Sequence, residues 1–170
     1  MNIYLVGYRC TGKTTVGRLL ARKLGWNFVD TDAHIAEAEG RSIARIVQEE
    51  GWKAVRRLEA SLMADLARKE DTVVATGAGV VLDPGNVDRM RDSGHTVWLQ
   101  ASAAEIGRRM LADPSAARLR PAPTQETLSA RIAGTLETRS PIYRTACDLA
   151  VEVGGKEPES VVKEIMGNLH

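Results

Sequence analysis

The chain has 170 residues, 44% of them hydrophobic and 26% charged, with a formal net charge of +1. That length suits one domain with a full core, and the near-neutral charge argues against a broad basic face for nucleic acid. Two cysteines, Cys10 and Cys147, are too few for a disulfide framework or a thiolate zinc site, and no apolar run is long enough to span a membrane, so a cytoplasmic monomer without nucleic-acid or membrane partners is expected.

Asn2 to Val6 is a short apolar run, and Lys13 to Leu24 carries Val16, Leu19, Leu20 and Leu24 at helical spacing. Between them Gly7-Tyr8-Arg9-Cys10-Thr11-Gly12-Lys13-Thr14 satisfies G-x-x-x-x-G-K-[ST]. In that pattern backbone N–H groups wrap phosphates, the lysine reaches the β and γ groups, and the hydroxyl binds magnesium. The helix that follows turns its N-terminal dipole toward the anion. Residues 8–11 contribute chiefly backbone, so Cys10 is tolerated unless its position demands a positive φ. Cys10 thus reads as an inert backbone position; alternatively, ahead of a helix N-terminus and beside Lys13, its thiol is placed for a lowered pKa and for alkylation that ATP slows.

Asn27 to Val29 leads into Asp30-Thr31-Asp32. Ligands of open α/β sheets gather at the carboxyl ends of strands, and residues two apart in an extended segment share a face. Both carboxylates can then face the phosphate loop, one serving magnesium and the other a hydroxyl acceptor; alternatively, Asp32 caps the next helix. Residues 33–68 read as helical segments broken near Gly40 and Gly51, and Thr72 to Thr76 as a strand stopped by Gly77-Ala78-Gly79. A polar helix over Pro84–Arg91 precedes a strand over His95–Gln100, and Ser102 with Glu105 forms a capping box for a helix to Leu111.

Residues 112–124, rich in proline and small residues, read as a mobile loop ahead of a helix over 126–138. Asp148–Val153 supplies a last strand and Pro158–Leu169 a closing helix. The alternation implies one α/β domain around a mostly parallel sheet. Arginines outnumber lysines 17 to 6; this suits bidentate partners of carboxylate and phosphate, but codon bias gives the same excess, so each arginine is argued by position. His34, His95 and His170 have no spacing that suggests a metal site.

Six segments in series, GYRCTGKTTVG, FVDTD, GRSIARIVQEEGWKAVRRLE, ATGAG, LRPAP and RSPIYR, resemble the shikimate kinases across nearly the whole chain. The resemblance implies a three-layer α/β/α P-loop kinase fold around a five-stranded sheet, with ATP as co-substrate and Mg2+ as cofactor. It further implies transfer of the γ-phosphate to the 3-hydroxyl of shikimate, on the way to chorismate. The ATP site it implies comprises Gly7, Cys10, Thr11, Gly12, Lys13, Thr14, Thr15, Arg109, Pro158 and, from a lid over 112–124, Arg120 with Arg118 as its rival. Thr14 and Asp30 are the implied metal site, and Lys13, Asp32 and Arg120 the implied catalytic residues.

The implied acceptor site comprises Asp32, Arg56, Gly77, Ala78, Gly79 and Arg139, served by the helical segment 33–61. A carboxylic acid with several hydroxyls needs a cationic fork and an acceptor; Arg56 with Arg139, and Asp32, suit those tasks. Glu59, one turn from Arg56, is spaced to hold its guanidinium. Three departures stand out: Ala78 interrupts a triple-glycine turn and is strained if φ is positive there, Val55 stands where many members have Phe, and Trp52 where others often have Glu. Trp52 reads either as a partly buried helix residue or as a fluorescent reporter near the acid site. A kinase of another polyhydroxy acid such as gluconate, or a catalytically silent binding module, is the alternative function.

Overall fold

Runs of aliphatic and β-branched residues form five strands in the computed structural model, which describes residues 1–113 and 124–169: β1 (Asn2–Val6), β2 (Asn27–Asp30), β3 (Thr72–Ala75), β4 (Gly94–Gln100) and β5 (Leu149–Glu152). They make one sheet in the order β2-β3-β1-β4-β5 with every pairing parallel. β1 and β3 bury every residue, as a parallel sheet covered by helices on both faces requires. The helices are α1 (Lys13–Leu24), α2 (Thr31–Glu39), α3 (Ile43–Glu50), α4 (Trp52–Leu66), α5 (Pro84–Ser93), α6 (Ala103–Ala112), α7 (Gln125–Ala146) and α8 (Pro158–Gly167). Among the described residues none is long and apolar enough to cross a membrane.

Alternation along the strands divides the core between the two faces. Ile3, Leu5, Val97 and Leu99 pack with Val16 and Leu20 of α1 and Val161 and Ile165 of α8. Tyr4, Val6 and Trp98 meet Met63 of α4, Met90 of α5 and Tyr143 of α7 on the other side. The result is the expected three-layer α/β/α arrangement. A smaller cluster of Ile35, Ile46, Ala54 and Val55 ties α2, α3 and α4 into a side unit, and Arg41 clasps its corner through Glu39, Glu49 and Glu50.

α1 occupies the residues its periodicity predicts, and Gly40 and Gly51 break the helices where expected. Three local features differ. Asp30, not Asp32, caps α2, its Oδ1 accepting from the Ala33 N–H at 3.1 Å; Thr31 and Asp32 are already helical, so extended alternation does not govern them. Ser102 caps α6 through the Glu105 N–H at 3.1 Å, but the Glu105 carboxylate turns to Arg108 and Arg109 instead of completing the box. α7 runs past the expected 126–138 and through Pro141 to Ala146. Proline costs a helical hydrogen bond, yet the continuation buries Tyr143 and Ala146 against the sheet. Residues 114–123 of the expected lid, with Arg118 and Arg120, lie outside the described residues.

β4 begins at Gly94, paired with Asn2 of β1. A Cβ at Gly94 would stand 2.1 Å from the Asn2 carbonyl oxygen, a backbone atom that cannot swing aside. Gly94→Ala is therefore expected to cost about 1–3 kcal/mol of stability, seen as a lower urea midpoint at unchanged slope; an unchanged midpoint would contradict this packing.

Candidate active site

Because β1, β2 and β3 are adjacent and parallel, their carboxyl ends open onto one edge, with Leu5 and Asp30 both level with Ala75. Three loops meet there: the phosphate loop after β1, the Asp30–Asp32 corner after β2, and the Gly77–Gly79 turn after β3. This is the place where open α/β sheets bind ligands.

The phosphate loop ends on Gly12, which begins α1 with φ 90, a conformation glycine reaches without penalty. Cys10 also has a positive φ, 61, so the condition under which a non-glycine residue strains the loop is met, at a cost of about 1–2 kcal/mol. Thr11 is buried and its hydroxyl donates to the Tyr8 carbonyl at 2.9 Å. Lys13 Nζ donates to the carbonyls of Gly7 at 2.8 Å and Tyr8 at 2.7 Å. Enclosure of this ammonium pushes its pKa down to about 8, against the opposing pull of Asp32, Cys10 and Asp30.

The expected activated thiol is not found. Cys10 packs with Tyr8 and Ala101 against the cluster of Ile106, Met110, Leu128 and Ile132. That burial, aided by Asp113, pushes its pKa up in spite of Arg9, Lys13 and Arg109.

The Thr14 hydroxyl donates to Asp30 Oδ2 at 2.6 Å. A hydroxyl and a carboxylate oxygen at the opening of a helix fit a hard cation held largely by phosphates and water; among the described residues no group of three or more His, Cys, Asp or Glu forms a protein cage for one. Thr15 is exposed on the first turn of α1. From α6, Arg109 donates to the Cys10 carbonyl at 3.3 Å and the Val153 carbonyl at 3.2 Å while Glu105 holds its Nε at 2.9 Å. Pro158 opens α8 beyond Val153.

Beside the loop lies a cleft of about 910 Å3 whose lining includes Arg9, Asp32, Trp52, Val55, Arg56, Glu59, the Gly77–Gly79 turn and Arg139. A side chain at either turn glycine would displace a charged group of the cleft. A Cβ on Gly77 would lie 2.8 Å from Asp32 Oδ1 and from Glu59 Oε2, and one on Gly79 would lie 2.2 Å from Arg56 Nη2. Ala78 carries no such burden: among the described residues Cys10 and Asp71 are the non-glycine positions with positive φ. Its methyl is therefore accommodated without backbone strain.

Arg56 Nη1 donates to Glu59 Oε1 at 3.2 Å, and its guanidinium carbon lies 4.9 Å from the centre of the Trp52 ring. Glu59 is 1% exposed. Burial, opposed by Arg56 and reinforced by Asp32, raises its pKa. Burial and then Asp30 likewise raise that of Asp32, against Lys13, Arg56 and Arg9. Trp52 lines the cleft and is 56% exposed, more open than the partly buried helix residue that was one of its two readings. Val55 is buried in the side unit and walls the cleft.

Asp32, Arg56, Gly77, Ala78, Gly79 and Arg139 thus converge on one cavity. Three residues that build it were not singled out by the sequence reading. Thr31 accepts from the Gly77 N–H at 3.0 Å, Tyr143 donates to the Ala78 carbonyl at 2.6 Å, and Arg9 faces Asp32 across the cleft. Tyr143 follows Arg139 by one helical turn and was open to that spacing argument; Arg9 carries no local signal.

The family model for shikimate kinase matches residues 9–170. The shikimate kinase of Syntrophus aciditrophicus is 39% identical over 173 residues, covering 97% of this chain and 89% of the relative. The structure of shikimate kinase from Acinetobacter baumannii in complex with shikimate aligns with TM-score 0.86 at 30% identity, over 97% of this chain and 90% of that one. Shikimate kinase from Aquifex aeolicus aligns with TM-score 0.78 at 36% identity, over 98% and 94%. Similar in sequence and in fold over nearly its whole length, the chain belongs to the shikimate kinase family.

Proposed function

We propose that the protein transfers the γ-phosphate of ATP to the 3-hydroxyl of shikimate, giving shikimate 3-phosphate and ADP on the route to chorismate. The observation that carries this reading is the single cleft in which Arg56, Arg139 and Asp32 meet beside the loop that holds Lys13. Arg56 and Arg139 take the acceptor carboxylate as a bidentate fork. Glu59 and Trp52 hold Arg56 in place from two sides. Asp32 accepts from the acceptor hydroxyls and takes the reacting proton, while the Gly79 N–H donates to the bound acceptor, that of Gly77 being held by Thr31.

Phosphoryl transfer demands alignment and charge neutralisation more than covalent help from the protein. Lys13 exchanges the carbonyls of Gly7 and Tyr8 for phosphate oxygens. Thr14 and Asp30, already joined by a hydrogen bond at 2.6 Å, would hold Mg2+, which would supply neutralisation of the phosphate charge. Gly7, Cys10, Thr11, Gly12 and Thr15 contribute to the phosphate loop, Arg109 and Pro158 flank the adenine, and Arg120 is assigned to the γ-phosphate on the LRPAP resemblance. Every group named for both substrates comes from one chain, so a monomer suffices.

Coupled ADP release tests the reading. Turnover is expected to require shikimate, with gluconate and acceptor-free reactions at least about a hundredfold slower; equal rates with gluconate would overturn the acceptor, and no release with any acceptor would favour a silent module. Lys13 supplies a second check. Its pKa is about 8 in the fold against an ordinary value of 10.5, so between those pH values the unfolded chain binds more protons and the parent gains stability as pH rises. Relative to Lys13→Met, which loses turnover, the parent is expected to gain about 1–3 kcal/mol from pH 8 to 10.5; a pH-independent difference would contradict the enclosed charge.

A further inference from the structure

Tyr143 is fully buried, outside the lining of the cleft, yet it touches two parts of the acceptor site. Its hydroxyl donates to the Ala78 carbonyl at 2.6 Å. Its ring stacks on Trp98 of β4, with centroids 5.7 Å apart and an interplanar angle of 25°, so the phenol is anchored to the central sheet. On α7 it follows Arg139 by one turn, and Arg139 lies close to the same hydroxyl.

Among the described residues, the other hydrogen bonds to this turn fall at its ends. Thr31 accepts the Gly77 N–H at 3.0 Å, and the carbonyls of Gly77 and Gly79 accept from Val80 at 3.1 Å and Leu82 at 3.0 Å. The middle peptide, Ala78 to Gly79, is steered by Tyr143. A trans peptide is planar and points its C=O and N–H in opposite directions. Drawing the Ala78 carbonyl toward the sheet side therefore turns the Gly79 N–H toward the cleft that Gly79 lines.

We propose that Tyr143 is a positioning residue for the phosphate acceptor: its hydroxyl sets the plane of the Ala78–Gly79 peptide and so aims the Gly79 N–H into the cleft, in register with Arg139. The inference rests on the reading of the cleft as the shikimate site. Ala78 makes the clamp more telling, because an alanine peptide has less conformational latitude than glycine and a misaimed plane is less readily corrected by the acceptor. The clamp bonds to the Ala78 carbonyl, whereas the Lys13 ammonium that meets the nucleotide bonds to the carbonyls of Gly7 and Tyr8, so losing the phenol donor is expected to act on the acceptor far more than on the nucleotide.

The test is Tyr143→Phe, which keeps the ring on Trp98 and removes the donor alone. KM for shikimate is expected to rise about five- to tenfold, with KM for ATP unchanged within about twofold. In glycine-selective 15N spectra the Gly79 amide of the parent is expected to shift on adding shikimate, and that of the variant to shift less at saturation. A merely structural role would lower stability while leaving the ratio of the two KM values unchanged, and that outcome would overturn the proposal. An active parent with a Phe variant indistinguishable in KM and amide shift overturns the inference alone; a parent with no shikimate-dependent turnover overturns it together with the functional reading beneath it.

Discussion

The side-by-side parallel pairing of β2, β3 and β1 is the constraint on which the rest of the molecule depends. Because all three strands run the same way, their loops must emerge at one edge, and a nucleotide loop, a carboxylate corner and a glycine turn that are far apart in the chain become neighbours. The hydrophobic faces above and below hold that edge level: Ile3 and Leu5 look one way to α1 and α8, while Tyr4 and Val6 look the other way to α4, α5 and α7. A slip in register would move the loops relative to one another before it disturbed any single loop.

That edge is built at a cost in stability. Lys13 is enclosed with carbonyls as its partners, Asp32 and Glu59 are pressed toward each other across Gly77, and Cys10 occupies a left-handed conformation. Each of these is unfavourable in the free protein, and in the proposed function a ligand of opposite character would relieve the first two: phosphate for the lysine, and hydroxyl donors for Asp32. The same low-dielectric enclosure that raises the carboxylate pKa values strengthens their bonds to a bound acceptor. Cys10 differs, since its strain serves the loop path and its thiol is turned into an apolar cluster rather than toward the ligands.

Much of this was legible in the sequence because it rests on local patterns. The strand, loop and helix over Asn2–Leu24 follow from periodicity and the glycine-lysine signature, and the breaks at Gly40 and Gly51 from helix-ending glycines. What escaped depends on long-range packing. Pro141 marks an apparent helix end that the burial of Tyr143 overrides, and Asp30 takes the cap because β2 delivers it there. The activated reading of the Cys10 thiol fails, since proximity to Lys13 is visible in sequence whereas the apolar cluster from α6 and α7 is not, and the inert reading stands. Arg9 and Thr31 acquire their places only when three loops have been brought together.

In the proposed function one cleft grips the acceptor acid with Arg56 and Arg139 while Asp32 presents its hydroxyl to the phosphate held by Lys13. A crystal structure of the complex with shikimate, Mg2+ and a non-transferable ATP analogue tests it most directly. The shikimate carboxylate is expected on both guanidinium groups, the 3-hydroxyl within hydrogen-bonding distance of Asp32 and facing the γ-phosphate, and the phosphates on Lys13. Shikimate bound elsewhere, or bound with its carboxylate away from the two arginines, would contradict it.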